Sequence, residues 1–558
     1  MSWKTIAKEH RAAVLQSIPE RWRLDNDQYR SLKDVTSVPY TSGILTEAQL
    51  KTTELTVVEL VKRLESRELK AVQVLEAFAA RTAITHQLLN CLTDWFYEDA
   101  LQQAKDLDQA LEKGGKLKGP LHGIPIALKV RYAYIQIQHP MLIIQDIHCV
   151  KGRASTGACI SDRNFVPEND SNIVGALRAA GAVFFCKTTM PQTAMALETV
   201  SNLWGRTLNP FNTDLGAGGS SGGDAVLVAM KGTPITLSTD LGGSVRVPAA
   251  FNGLYGIRPT ASRIPKGGMV NFNTGQITIN LSCGPICRSI DDLELFTKVI
   301  NAHPNNRYDV TCTPVPWRMV DTPERKLTFG VMKWDGVVMP HPPVLRALEH
   351  TKQTLEKAGH EVIPFDVPFD CWSASQTTAS SNLSDGYCSS DKSSEPLIPA
   401  FADLLKVYKP REHTAAEALQ LNIKAKAFKE QFLTAWNVTA SRTASGHPID
   451  ALILPPAPAV AYPHDFNIYW GYTALFNLLD YPATILPIPD FKITAEQDPV
   501  DSEYRPQGTN PYDKPNHDLY DPTLYLNQPS TIQVVGRPFE DEELIQVSSI
   551  IDKLFRGL

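Results

Sequence analysis

This chain has few of the features that mark a membrane, secreted or nucleic-acid-binding protein. Its 558 residues contain no uninterrupted apolar stretch near the roughly 18 residues that span a bilayer. The opening residues, MSWKTIAKEHRAAVLQSIPERW, lack the apolar core of a signal peptide. The net charge is only −6 and no Lys/Arg cluster stands out, which argues against a partner nucleic acid or anionic membrane. A cytoplasmic globular protein is therefore expected.

Cysteine pairs at metal spacing are also scarce. The chain has nine cysteines, an odd number, and Cys283-Gly-Pro-Ile-Cys287 is the one close pair. Structural zinc needs four converging ligands, and no second pair or His-x3-His accompanies this one. The cysteines are predicted to be ordinary buried thiols, with no metal. The phosphate-binding loop that ends in a Walker lysine is missing too, which argues against a P-loop nucleotidase.

The order of apolar patterns predicts an α/β fold. Residues 1–75 show helical spacing and read as a peripheral helical arm. From there to residue 558, predicted strands alternate with helices, which favours one large domain with a mixed central sheet covered by helices on both faces. The predicted strands are 182–186, 233–239, 326–332, 361–365, 449–454 and 533–535, and the predicted helices are 54–64, 72–81, 171–180, 222–231, 343–358, 414–436 and 540–555.

Two polar segments are predicted to be surface excursions. Residues 373–394 are rich in Ser, Thr and Asp, and residues 497–529 are rich in Asp, Pro, Asn and Tyr. Neither segment has a helical or strand period, and such composition is typical of long loops.

Serine stands among glycines in two stretches, Gly216-Ala-Gly-Gly-Ser-Ser-Gly-Gly223 and Thr239-Asp-Leu-Gly-Gly-Ser-Val-Arg-Val-Pro248. Glycine there permits close approach of backbone N–H groups to a reacting oxygen. Taken singly, each stretch also fits a flexible loop. The first also fits a nucleophile elbow, although no strand precedes it, or a phosphate-binding loop, although its spacing is imperfect.

Taken together, the two stretches resemble the amidase signature family. The similarity continues in Gly256-Ile-Arg-Pro-Thr260 and, upstream, in Gly119-Pro-Leu-His-Gly-Ile-Pro-Ile-Ala-Leu-Lys129, which looks like the family's lysine strand. Tyr469-Trp-Gly-Tyr-Thr and Asn477-Leu-Leu-Asp-Tyr-Pro482 are most similar to the fungal acetamidase-type branch. The resemblance covers nearly the whole chain, from the N-terminal arm to Gln533-Val-Val-Gly-Arg-Pro-Phe-Glu-Asp-Glu542.

The resemblance implies a Ser–Ser–Lys catalytic triad. Ser244 would attack the amide carbonyl, Ser220 would relay its proton after a cis Gly219–Ser220 bond, and Lys129 would be the base. A lysine base must be neutral, and burial can lower a lysine pKa by several units. The alternative for Lys129 is an ordinary lysine whose amine reaches the surface. None of the thirteen histidines is required, in contrast to a Ser–His–Asp hydrolase.

The resemblance also supplies the residues around the triad. The oxyanion would be held by backbone N–H groups of Leu241, Gly242, Gly243 and Ser244, and Ser220 would join them in binding substrate. Ser221, Asp240 and Arg246 match positions that brace these loops, although Asp240 and Arg246 would also fit an ordinary ion pair. The implied partner is a small-molecule amide; no cofactor or metal is implied, and a homodimer stays one option for the assembly.

One segment departs from the family pattern. In relatives the lysine is followed at once by aspartate, whereas here residues 130–145 separate Lys129 from Asp146. Removing them restores the expected register. Codons for Val130 and Gln145 can carry the ends of an intron, so a retained intron is our hypothesis. A genuine loop is the alternative, since long insertions cost little closure entropy. An apolar insertion beside the base is expected either to expose sticky apolar surface or to displace Lys129.

The function expected from the resemblance is hydrolysis of small monocarboxylic amides to a carboxylate and ammonia through an acyl-enzyme on Ser244. Two alternatives stay open at this point. The same triad would also support esterase or acyl-transfer chemistry, and the insertion would make the protein inactive or impaired if it disrupts the lysine.

Overall fold

The computed structural model describes residues 2–29, 31–129, 149–154, 156, 158–160, 163, 166–269, 276–321, 323–383, 394–506 and 508–558. The segment 130–145, on which the intron hypothesis rests, lies outside these residues, and so does Asp146. Among the described residues, no helix is both long enough and apolar enough to cross a bilayer.

A mixed eleven-stranded sheet forms the centre of the described chain, in the order β1-β3-β2-β6-β8-β7-β12-β13-β11-β9-β10, and β4 and β5 form a separate two-stranded sheet. Strands β2, β3 and β6 are parallel to one another, as are β9, β10 and β11. The strands are β1 (Leu92–Trp95), β2 (Pro125–Lys129), β3 (Val183–Thr188), β4 (Val200–Ser201), β5 (Gly205–Arg206), β6 (Ile235–Asp240), β7 (Tyr255–Arg258), β8 (Ser282–Cys287), β9 (Thr328–Val331), β10 (Glu361–Pro364), β11 (Ala451–Leu454), β12 (Ala483–Pro487) and β13 (Thr531–Val535).

Helices flank this sheet, which confirms the predicted fold class. They are α1 (Trp3–Ser17), α2 (Asn26–Tyr29), α3 (Val38–Thr41), α4 (Glu47–Glu54), α5 (Val57–Glu65), α6 (Ala71–Leu89), α7 (Tyr97–Glu112), α8 (Asn172–Ala179), α9 (Gly222–Ala229), α10 (Arg246–Phe251), α11 (Ile290–Ala302), α12 (Pro342–Lys357), α13 (Cys371–Asn382), α14 (Pro399–Tyr408), α15 (Ala415–Val438), α16 (Gly471–Leu479), α17 (Asp513–Leu519) and α18 (Asp541–Phe555).

The N-terminal helices begin where the sequence supplies capping residues. Thr56 accepts a hydrogen bond from the Glu59 amide, and the Glu59 side chain accepts one from the Thr56 amide, which is a capping box. Val57, Leu60 and Leu64 follow at helical spacing and are buried. The predicted helix 54–64 is therefore α5, which begins three residues later than predicted because this cap fixes its start. The division into an arm at 1–75 and a domain at 76–558 stays a prediction.

Both predicted surface excursions are wrong in part. Residues 373–382 belong to α13, whose Asp370 cap accepts hydrogen bonds from two amides of the first turn, while residues 384–393 lie outside the described chain. In the second segment, Asp498, Tyr512, Tyr520 and Tyr525 are buried, and α17 forms within it. Polar composition misled in both places, because tertiary contacts bury side chains that the local pattern presents as exposed.

The parallel strands place the candidate chemistry at one edge of the sheet. Strand β2 is buried along its whole length and lies between β3 and β6. The carboxyl ends of neighbouring parallel strands meet at the same edge, which is where α/β folds commonly bind ligands. Lys129 is the last residue of β2, and the loop that carries Ser244 follows β6.

Candidate active site

Lys129 lies at the carboxyl end of β2 and is completely buried. Its Nζ donates a hydrogen bond to Ser220 Oγ over 2.6 Å and another to Thr239 Oγ1 over 3.2 Å. A lysine whose amine reaches the surface is therefore the wrong interpretation here. The expected displacement of Lys129 by the inserted segment is likewise not found, since the amine contacts Ser220 with that segment present in the chain.

Ser220 lies in the turn that leads into α9. The peptide bond between Gly219 and Ser220 is cis, as the resemblance implies. A Cβ atom at Gly219 would come within 2.6 Å of the Ala196 carbonyl oxygen, so the backbone approaches here too closely for any side chain. Ser221 is the N-terminal cap residue of α9, and its buried hydroxyl has no hydrogen-bond partner among the described residues.

Ser244 lies in the loop between β6 and α10. Its side chain is buried, and its carbonyl oxygen accepts a hydrogen bond from the Ser221 amide over 3.2 Å, which ties the two serine–glycine stretches together. Within the described chain, no hydrogen bond joins the Ser220 and Ser244 hydroxyls. Such catalytic hydrogen bonds commonly tighten only when substrate binds. The structure thus brings Lys129 and Ser220 into contact and places Ser244 beside them through its backbone.

The backbone amides after β6 fall into two groups. The Gly243 amide donates to Asp240 Oδ1 over 2.8 Å, so this predicted oxyanion donor already has a partner. The amides of Leu241, Gly242 and Ser244 donate no hydrogen bond to any other described residue. Three of the four predicted donors are therefore available in this geometry.

Asp240 and Arg246 form a buried ion pair that holds this loop. Both side chains are completely buried, and the guanidinium contacts both carboxylate oxygens, at 2.9 and 3.0 Å. Burial raises the pKa of Asp240, but the charge and hydrogen bonds of Arg246 outweigh that effect and hold this pKa well below its usual range. The carboxylate also accepts hydrogen bonds from the Gly243 and Val245 amides. The ion pair is therefore what fixes the curvature of the loop.

Two polar residues outside the predicted set complete the brace. Asn477 Oδ1 accepts from Arg246 over 2.6 Å, and Gln533 Oε1 accepts from Arg246 over 2.8 Å. Asn477 Nδ2 in turn donates to Asp240 over 3.0 Å. Both residues stand inside motifs that carry the family resemblance, but only the fold brings α16 and β13 against the loop.

Two glycines of the loop are required by close packing. Gly243 has φ +127°, and a Cβ atom there would lie 2.2 Å from Thr473 Oγ1. A Cβ atom at Gly242 would lie 2.7 Å from the ring of Trp470. Because α16 and the residue before it press on the loop, side chains at these positions would push the backbone amides away from the serines.

Asp224 is a titratable residue that the sequence analysis did not single out. It lies in the first turn of α9, is completely buried, and accepts hydrogen bonds from Thr188 and Ser238 at 2.6 Å each. Burial raises the pKa of Asp224 to about 7, against the lowering effects of those two hydrogen bonds and of the Lys129 charge. Asp224 follows the serine–glycine stretch directly in sequence, and that proximity is the signal that was available.

An apolar cavity lies next to the loop that follows β6. Trp470 and Ala474, which face the Gly242 backbone, form one side of it. Its other lining residues are Met195, Ser375, Thr378, Ala379, Leu383, Leu404 and Tyr408. Such a cavity suits an apolar group held beside a polar reacting centre.

The cysteines and other metal-binding residue types do not form a second site. Cys283 and Cys287 lie in the buried strand β8, and their thiols are free. No group of three or more His, Cys, Asp or Glu side chains converges as metal ligands in the part of the chain that the structure describes.

Comparison with known proteins identifies the family. The family model Amidase matches residues 73–545. An amidase of Gibberella zeae is 64% identical over 562 residues, which cover 100% of both chains. An acetamidase of Aspergillus oryzae is 38% identical over 566 residues and 99% of each chain.

Solved structures share the same architecture. A structure of fatty acid amide hydrolase matches with a TM-score of 0.89 and 30% identity, covering 99% of this chain and 95% of that one. A bacterial aryl acylamidase of the amidase signature family shares the fold, with a TM-score of 0.68 at 19% identity over 90% of this chain and 96% of that one. The chain belongs to the amidase signature family of hydrolases.

Proposed function

We propose that this protein hydrolyses the carbon–nitrogen bond of small monocarboxylic amides through an acyl-enzyme on Ser244. The observation that carries the proposal is the buried contact of 2.6 Å between Lys129 Nζ and Ser220 Oγ, beside the loop that holds Ser244. Neutral Lys129 accepts the Ser220 proton while Ser220 takes the proton of Ser244. Ser244 Oγ then bonds to the acyl carbon.

The same groups complete the reaction in reverse order. Protonated Lys129 returns its proton through Ser220 to the leaving nitrogen, and the C–N bond breaks to release ammonia or an amine. Water then attacks the ester on Ser244 with the same base, which yields the carboxylate and regenerates the serine. The amides of Leu241, Gly242 and Ser244 are the oxyanion donors of this proposal, and each is worth about a hundredfold in rate or more.

The cavity beside the loop that follows β6 supports an apolar acyl group on the substrate. Trp470 and Ala474 connect the cavity to the oxyanion loop, so an acyl chain bonded to Ser244 would extend into it. Each CH₂ buried there contributes about 0.8 kcal/mol, close to fourfold in kcat/KM. The named relatives act as acetamidases and amidases, and small amides with an apolar acyl part fit both that kinship and this cavity.

The alternatives are less well supported. Esterase or acyl transfer on the same triad has no observation of its own in its favour. An inactive protein is disfavoured, because the predicted cause of inactivity was a displaced lysine and Lys129 contacts Ser220.

The test combines covalent labelling with turnover. A fluorophosphonate probe is expected to label the full chain, and labelling and amide hydrolysis should both disappear in Ser244→Ala. Ser548→Ala is the matched control, because Ser548 is equally buried but bonds to Thr484 away from the site. Amide hydrolysis that persists in Ser244→Ala would contradict the proposal.

The acyl preference is tested by filling the cavity. Along the series acetamide, butyramide and hexanamide, kcat/KM should rise, and Ala379→Phe should remove this rise while sparing acetamide. Gln376→Phe is the control, since Gln376 is exposed on the same helix, α13. Equal kcat/KM across the series in the unmodified protein would exclude this cavity as the acyl site.

A further inference from the structure

Asp224 is held where its charge acts on the proposed base. One carboxylate oxygen accepts from Thr188 Oγ1 on β3 and the other from Ser238 Oγ on β6, each over 2.6 Å. These two strands flank β2 on either side. The carboxylate therefore bridges across β2 from one neighbouring strand to the other.

The strand register places Lys129 under this bridge. Lys129 pairs with Thr188 on β3, and Leu128 pairs with Leu237 on β6, so that the next pair in register joins Lys129 and Ser238. Lys129 thus lies between the two strands that hold the carboxylate, and its amine contacts Ser220, just before α9, and Thr239, the residue after Ser238.

The other titratable groups near Asp224 do not supply a compensating charge. The elements packed against α9 carry Arg81 and His86 on α6, Asp240 on β6, Arg246 on α10, and Cys283 and Cys287 on β8. Two further thiols lie near Asp224, Cys186 on β3 and Cys91. Burial lowers the pKa of His86 to about 4 and raises the pKa of the thiols, so these groups are neutral near pH 7.

The remaining charged groups are engaged elsewhere. Asp240 and Arg246 pair with each other, and Arg81 bonds to the Met230 carbonyl at the far end of α9 and to Glu54. Lys129, in contrast to these groups, changes its charge during the proposed reaction.

We infer that Asp224 is a positioning residue that stabilises the protonated form of Lys129 while the lysine carries the proton taken from Ser220. The inference rests on the proposed function. In a buried site a new ammonium charge is costly without a counter-charge. A carboxylate fixed by two hydroxyls supplies that counter-charge, and it keeps the amine basic enough to accept a serine proton.

The test is the pH dependence of fluorophosphonate labelling at Ser244, which requires a working base but no amide turnover. Asp224→Asn keeps the side-chain size and removes the charge. In a plot of labelling rate against pH, the acid limb is the rise that occurs as Lys129 loses its proton. In Asp224→Asn this limb is expected to move to lower pH by about one unit or more, and the labelling rate on the plateau above it should be about tenfold lower. Asp292→Asn is the matched control, because Asp292 is also a buried aspartate with a raised pKa, but it lies on α11 against α5. An acid limb of Asp224→Asn that coincides with wild type, or that moves to higher pH, overturns the inference.

A second variant decides the case in which Asp224→Asn fails to fold. Ser238→Ala removes one donor from the carboxylate, which raises the Asp224 pKa and leaves less of this residue ionised at a given pH, so the acid limb should move to lower pH, as in Asp224→Asn. An unchanged limb in Ser238→Ala overturns the inference. If the wild-type protein labels at Ser244 but hydrolyses no amide, the proposed function is contradicted. The labelling test of Asp224 can still be carried out in that case. Wild-type protein that does not label overturns the inference as well.

Discussion

Lys129 shows how burial changes the role of a residue type. Lysine usually keeps its amine in water, and a lysine on a buried strand has to find polar partners instead. Its partners here include two hydroxyls, those of Ser220 and Thr239. The contact with the Ser220 hydroxyl is the one that the proposed proton transfer requires.

Replacing Lys129 by methionine tests that role. Lys129→Met keeps the apolar stem and removes the amine, so labelling of Ser244 should fall by about a thousandfold or more, because the serine loses its base. Lys187→Met is the control: Lys187 is equally buried, on β3, but bonds to the Arg153 and Ala154 carbonyls. The measurement is the rate of Ser244 labelling in both variants at one pH. Comparable losses of rate in Lys129→Met and Lys187→Met would contradict the assignment of Lys129 as the base.

Asp292 predicts a pH dependence of stability. Burial raises the pKa of Asp292 to about 6, above the value near 4 expected in the unfolded chain. The native state therefore binds more protons than the unfolded state between these values, and the contribution of Asp292 to stability is lost as the pH rises from about 4 to 6.

Asp292→Asn removes this titration. The difference in Tm between Asp292→Asn and wild type should therefore shift in favour of the variant by roughly a few degrees between pH 4 and pH 7. Thermal unfolding at several pH values measures this. A Tm difference that stays constant with pH would contradict the raised pKa, whatever the size of the offset.

At the scale of elements, the β6–α10 connection depends on one buried ion pair. Arg246→Met leaves Asp240 buried without its counter-charge and should lower the free energy of unfolding by about 3–5 kcal/mol. Lys514→Met removes an exposed pair with Asp518 and should cost less than about 1 kcal/mol. Denaturant unfolding compares the two. Equal effects would mean that the buried pair does not brace the loop.

Adding one methyl group at Gly243, in the same loop, is expected to slow labelling of Ser244 strongly. Gly243→Ala would place its Cβ against Thr473 at a φ of +127°, so the loop must shift and labelling of Ser244 should fall by about a hundredfold. Gly336→Ala is the control, because Gly336 also has positive φ (+79°) but no neighbouring atom within 4 Å of the added Cβ. Similar losses in both variants would attribute the effect to backbone conformation rather than to the contact with α16.

At the scale of the whole molecule, the question is what residues 130–145 do to activity. Lys129 ends β2 in register with β3 and contacts Ser220, although the insertion follows it directly in sequence. Removing residues 130–145 should therefore change the rate of Ser244 labelling by less than about tenfold, since the base is already within hydrogen-bond reach. Labelling of the full chain and of the shortened chain measures this. A much faster shortened chain would restore the hypothesis that the insertion impairs the enzyme.

The elements with strong local patterns were predictable. The helix at 415–438, which follows a capping box at Thr414 and Glu417, and the apolar strands near 183–188 and 451–454 lie within a few residues of their predicted bounds. Strands β7, β8 and β12 were not predicted, because β7 and β8 carry glycine and β8 and β12 carry proline, residue types that are unusual in strands. Neighbouring strands stabilise these segments despite their composition.

Sequence by itself determined the family and the residues of the proposed chemistry, because serines among glycines and a lysine on an apolar strand form a recognisable set at Lys129, Ser220 and Ser244. Tertiary structure alone decided which of their neighbours act on them. Asp224, Asn477 and Gln533 approach the site through pairing of distant strands and packing of helices. Contacts of that kind depend on distances between elements far apart in the chain, which local spacing does not encode.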